Sequence, residues 1–215
     1  MMSSNVVARL AELNNSGQWK QADQLAAHYA QNASFQPDAG FFFQWALARR
    51  LIGKNPQEQI EAARLAPGYS EQMAGDFDRD AGLDFLRQGV LDKAEQMFDS
   101  ARSIHDGALN RMAVLEMCYG RLFLTKAQYV KAEQSHEKAN QIWCEIADAD
   151  PQWIKNNRFH WLKAKAALGK RERSLYLAIK DSEPRLDRKV CAFLMHYFGK
   201  VGFWLTSQAE SKLFK

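Results

Sequence analysis

The chain has 215 residues, of which 47% are hydrophobic and 25% charged, with five prolines and a net charge of +4. That is the composition of a globular chain rich in helix formers, long enough to bury about two thirds of its unfolded surface, and it excludes a disordered or collagen-like chain. Cys118, Cys144 and Cys191 are odd in number, far apart and without a CxxC, which argues against a disulfide framework and against a cysteine zinc site.

The N-terminal segment "MMSSNVVARLAELNNSGQW" lacks a basic start and an uninterrupted apolar core. No secretory leader is expected, so the expected location is cytoplasmic, and the Asn-x-Ser triplets at Asn14 and Asn32 read as chance. The longest apolar run, Val190 to Leu205, contains His196 and Lys200 and is shorter than the ~20 residues of a membrane span.

Along the chain one pattern recurs. "SGQWKQADQLAAHYA" places Gly17, Trp19, Ala22, Ala26 and Tyr29 at the same spacing as Gly89, Leu91, Ala94, Phe98 and Ala101 in "QGVLDKAEQMFDSA". "KAQYVKAEQSHEKANQI" repeats it with Ala127, Tyr129, Ala132, His136 and Ala139. Weaker copies are led by Gly53, where Pro56 intrudes, and by Gly169, where Ser174 and Ala178 stand. The lead residues at 17, 53, 89, 127 and 169 are separated by 36, 36, 38 and 42 residues. Upstream of the better copies, Gly82 and Gly120 each fall seven residues before the lead. The physical unit is a helix, a tight turn with the lead residue left-handed, and a second helix whose alanines permit close packing. "IWCEIADADPQW" reads as a second helix prolonged by about two turns before an Asp150-Pro151 exit, accounting for the longest step.

This pattern resembles the tetratricopeptide repeat, a helical hairpin of ~34 residues, over about residues 5 to 182. The resemblance implies an all-α fold: a right-handed superhelix of about five hairpins over 1–182, and a C-terminal capping or docking helix over 183–215. It also implies a concave groove lined by the first helices. Rows at i, i+4 on those helices are Phe43 and Leu47; Arg79, Leu83 and Arg87; Met117 and Arg121; Phe159 and Lys163. Half apolar and half basic, they suit a peptide or protein segment with acidic groups. The competing reading is that Phe43, Leu47 and Phe159 fill hairpin cores. The carboxylate clamp of some family members is not expected, because Val7 and Ala11 occupy the relevant face of the first helix.

After Pro184 a different pattern begins. Val190, Phe193, Leu194, Tyr197, Phe198, Val201, Trp204 and Leu205 trace one amphipathic stripe, leaving Met195 and Phe203 on the other side beside Lys189 and Lys200. The stripe is read first as a cap packed on the last hairpin. Met195, Lys200 and Phe203 then mark a homodimer seam, a docking face or a basic membrane-surface face.

Charge is uneven: residues 151–215 carry 14 Lys and Arg against 5 Asp and Glu, leaving 15 basic and 20 acidic groups before them. The basic end with its interleaved aromatics keeps a nucleic-acid contact open, without any reading motif. His28, His105, His136, His160 and His196 match no HExxH or Cys/His metal spacing, and no phosphate loop or nucleophile elbow occurs. "DFDRDAG" gathers three carboxylates but lacks the later ligands of a calcium loop. The expectation is therefore a non-enzymatic scaffold, adaptor or chaperone with no catalytic residue, metal or cofactor. The alternatives are a regulatory module on nucleic acid and an accessory domain of a larger enzyme.

Overall fold

Five turns of identical construction join the helices in pairs. In each, the amide of the lead residue donates to the carbonyl three residues back, and the next amide to the carbonyl five residues back. The pairs are Gly17 to Asn14 with Gln18 to Leu13, Gly53 to Arg50 with Lys54 to Arg49, and Gly89 to Leu86 with Val90 to Phe85. Ala127 to Leu124 with Gln128 to Phe123, and Gly169 to Ala166 with Lys170 to Lys165, complete the set. This arrangement satisfies the last carbonyls of the first helix and requires a left-handed residue at the lead position. The lead φ angles are 78°, 78°, 77°, 56° and 78° in chain order. Ala127 is the one non-glycine with positive φ among the described residues, so the turn is imposed there even where no glycine favours it.

In this computed structural model, which describes residues 2–213, the pairs are α1 (Met2–Asn15) with α2 (Trp19–Ala30), and α3 (Ala39–Leu51) with α4 (Gln57–Leu65). They continue as α5 (Glu71–Arg87) with α6 (Leu91–His105), α7 (Leu109–Thr125) with α8 (Tyr129–Cys144), and α9 (Pro151–Ala167) with α10 (Arg173–Ser182). The last two helices are α11 (Leu186–Phe198) and α12 (Lys200–Leu213). The chain is all-helical over the described residues. The 42-residue step has a different origin from the expected two-turn extension. The helix α8 is one residue longer than α6, and its exit loop spans six residues where the α6 exit spans three.

Within the hairpins, one crossing position carries complementary volumes. A Cβ on Gly82 would lie 2.4 Å from the ring of Phe98, and one on Gly120 would lie 2.5 Å from the ring of His136. Both rings are fully buried. In the first hairpin the sizes are exchanged: Leu10 stands in the place of Gly82 and Ala26 in that of Phe98, and both are fully buried. Large against small fills the same gap in either order, as close packing requires.

The chain divides into two units after Phe77, within α5. The first unit (1–77) is built on Val6, Leu10, Leu13, Ala22, Ala26, Phe41 and Ala48. A second cluster in it joins Ala46, Ile60, Ala63 and Phe77. Asp23 of α2, nearly buried, accepts from Trp45 Nε1 at 2.9 Å and from Lys54 Nζ at 2.6 Å. Burial alone would raise its pKa, but these two hydrogen bonds together with the charges of Lys54 and Arg49 outweigh it and hold the carboxyl below its ordinary value.

The second unit (78–215) centres on α7, whose residues from Ala113 to Gly120 are all buried. Its further core joins Phe159, Leu162 and Ala166 of α9, Leu175 and Ile179 of α10, and Ala192 and Met195 of α11. The C-terminal segment thus shares a core with α9 and α10.

The single capping helix expected after Pro184 is two helices. Gly199, at φ 54°, ends α11, and Gly202 lies so close to α11 that a Cβ there would sit 2.0 Å from the Leu194 carbonyl oxygen. The expected facing is also reversed. Ala192 and Met195 are fully buried and Phe203 is partly so, whereas Val190, Phe193, Tyr197, Phe198, Val201, Trp204 and Leu205 are exposed. Small or flexible residues let helices approach closely, so the side with fewer bulky groups turned inward.

Candidate anion-binding cleft

A cleft of about 220 Å³ opens on the second unit, walled by the ends of three first helices. The helix α5 supplies Leu86 and Arg87, α7 supplies Arg121, Leu124 and Thr125, and α9 supplies His160 and Lys163. On α7 the lining residues follow i, i+3, i+4 and on α9 i, i+3, the spacing that keeps side chains on one helical face. Leu86 and Leu124 give an apolar floor while Arg87, Arg121 and Lys163 set its charge. Arg87 donates to Asp84 at 2.8 Å and keeps half of its side chain exposed.

Behind the cleft, His136 of α8 is seated against Gly120, and its ring stacks on that of His160 at 6.1 Å between centroids. His136 Nδ1 lies 2.7 Å from Asn157 Oδ1, while Asn157 Nδ2 donates to the His136 carbonyl at 2.9 Å. With the amide oriented so, Nδ1 carries the proton and Nε2, buried without a hydrogen-bond partner, is left as a lone pair. Burial pushes the His136 pKa down to about 4, and the charges of Arg121 and Lys163 act in the same direction against the Asn157 hydrogen bond. Burial, then Arg121 and Lys163, also depress His160 well below the ordinary histidine value. Both imidazoles are neutral near pH 7, so the positive potential of the cleft comes from Arg87, Arg121 and Lys163. The nearby thiol of Cys118 is fully buried, and burial raises its pKa to about 11, so it is no nucleophile at neutral pH.

Of the nine residues expected to line a groove, the structure brings Arg87, Arg121 and Lys163 together. Leu83, Met117 and Phe159 are buried in hairpin cores. Arg79 is largely buried and pairs with Asp80 at 2.8 Å. Phe43 and Leu47 belong to the first unit, where the Phe43 ring packs on Phe77 at 5.1 Å and Leu47 is half-buried. An i, i+4 row drifts by about 40° per step around a helix, so Leu83 and most of Arg79 are buried while Arg87, at the helix end, stays half-exposed.

At the C-terminal segment, Met195 is fully buried and is no surface residue. Phe203 packs its ring on Tyr129 at 5.5 Å, and Lys200 is exposed beside Gly169. Sequence reasoning missed Leu86, Leu124, Thr125 and His160. The available signal was their position adjacent to, or three or four residues from, the basic residues on the same helices.

Asp76, Asp78 and Asp80 of the "DFDRDAG" stretch lie within α5, and among the described residues no group of three His, Cys, Asp or Glu could hold a metal ion. No helix among them is long and apolar enough to cross a membrane. Comparison with family models, curated proteins and solved structures yields no match to this chain.

Proposed function

We propose that the chain is a non-enzymatic helical-repeat scaffold of tetratricopeptide type that captures a protein segment bearing acidic side chains. The observation that carries this reading is the cleft built from Arg87, Arg121 and Lys163 on three successive first helices, over the apolar Leu86 and Leu124. Arginine offers a planar fork to a carboxylate and lysine a point charge, while a leucine floor favours a peptide with an apolar residue beside its acid. The five identical turns support the repeat reading, since they place equivalent helix ends at successive steps.

The test is fluorescence anisotropy with a labelled peptide of alternating glutamate and leucine residues. Binding should weaken by about tenfold or more in the Arg87→Glu, Lys163→Glu variant, since reversing a close charge changes both attraction and repulsion. Unchanged affinity in a variant with the parent's circular dichroism would move the acidic partner off this cleft. Tight heparin binding that displaces the peptide and survives in that variant would favour the nucleic-acid reading for the basic C-terminal third.

A further inference from the structure

The last hairpin presents a second surface, unrelated to the cleft. On α11 the outward stripe is Leu186, Val190, Phe193 and Tyr197, with Leu186 75% exposed. On α12 it is Val201, Trp204 and Leu205, with Val201 60% and Trp204 59% exposed. Within α11 the Phe193 ring lies 4.6 Å from that of Tyr197 and 6.5 Å from that of Phe198. Exposed apolar residues of this size mark an interaction site.

Cations accompany these residues on the same segment. Arg171 and Arg173 are exposed and close enough to His196 to help depress its pKa, after burial, and His196 stacks on Tyr176 and contacts Tyr197. Lys189 lies on the first turn of α11 and Lys200 opens α12, and none of these four cations is ion-paired with a described residue. The one acid on α11, Asp187, is held by Arg185 at 2.6 Å. The surrounding segment 151–215 carries an excess of nine positive charges.

We infer that the exposed apolar side chains of α11 and α12, Phe193, Tyr197, Val201 and Trp204, together with the cations Arg171, Arg173, Lys189 and Lys200, dock the last hairpin on the interface of an anionic lipid bilayer. Aromatic rings with polar edges suit the headgroup level, and unpaired Lys and Arg draw a surface to anionic lipid. A second copy on the same face would set the two groups of cations against each other.

The experiment is flotation of the full chain with phosphatidylcholine vesicles, alone or mixed with phosphatidylglycerol. Binding is expected to the mixed vesicles and to fall about tenfold without the anionic lipid or in Arg171→Glu, Arg173→Glu. Phe193→Ser, Trp204→Ser should release the protein from both, with unchanged circular dichroism because these side chains are exposed. Failure to float with any vesicle, or equal binding to neutral and anionic ones, overturns the inference. So does a dimer in sedimentation that Phe193→Ser converts to monomer, which assigns the face to a second copy.

Discussion

Exchange of volumes at the hairpin crossing tests whether the repeat is a packing unit. Phe98 is fully buried, and a Cβ at Gly82 would lie 2.4 Å from its ring and 3.2 Å from the Ala94 carbonyl oxygen. Gly82→Leu should therefore destabilise by about 1–3 kcal/mol through overpacking, even though leucine is the better helix former. Phe98→Ala should cost about 3–5 kcal/mol by opening a cavity. Together they reproduce the arrangement of Leu10 and Ala26 in the first hairpin, where both are fully buried. The leucine then enters the space the ring vacated. The double variant should be about 2–3 kcal/mol more stable than the sum of the single changes implies, the size of coupling expected for residues in contact. Urea unfolding of the four proteins, followed by circular dichroism, measures that difference. Additive effects would refute the equivalence of the two crossings, and an unperturbed Gly82→Leu would refute the close approach itself.

Ala127→Gly removes a left-handed strain of about 1–2 kcal/mol, less the entropy that glycine adds to the unfolded chain, for a net gain of up to ~1 kcal/mol. A lower melting temperature for this variant would contradict the turn assignment. His136 gives a pH dependence of definite sign. Its folded pKa of about 4 lies below the unfolded value of about 6.5, so the unfolded chain takes up the proton first. Its contribution is complete above pH ~6.5 and is lost as the pH falls toward 4, by about 3 kcal/mol. His160 acts in the same direction. His136→Phe, which copies Phe98 opposite a glycine, should flatten this slope while leaving Asn157 short of a partner at about 1–3 kcal/mol. A slope unchanged in urea titrations between pH 4 and 7 would rule out a buried neutral imidazole as its source.

Local chemistry made the helices and turns legible. Gly17, Gly53, Gly89 and Gly169 mark turns because a left-handed residue closes each first helix, and the alanine spacing marks the packed faces of the second helices. Arg87, Arg121 and Lys163 could be selected because long cations stay at helix surfaces. Leu83, Met117, Phe159 and Met195 could not be placed, since an apolar residue beside a cation reads alike whether it lines a groove or a core. The direction of the C-terminal stripe was equally ambiguous. Bulky apolar residues predict a buried face only where a partner helix can reach them, and here Ala192 and Gly202 allowed the closer approach on the opposite side. The sequence by itself thus determined how each of the five hairpins turns, through interactions a few residues apart, but not where every helix ends, since α11 and α12 read as one helix and α8 as two turns longer than it is. The tertiary structure decided which faces meet, because helix approach depends on the summed volumes of residues far apart in the chain. From that choice come both the neutral histidine pair behind the cleft and the exposed aromatic face of the last hairpin.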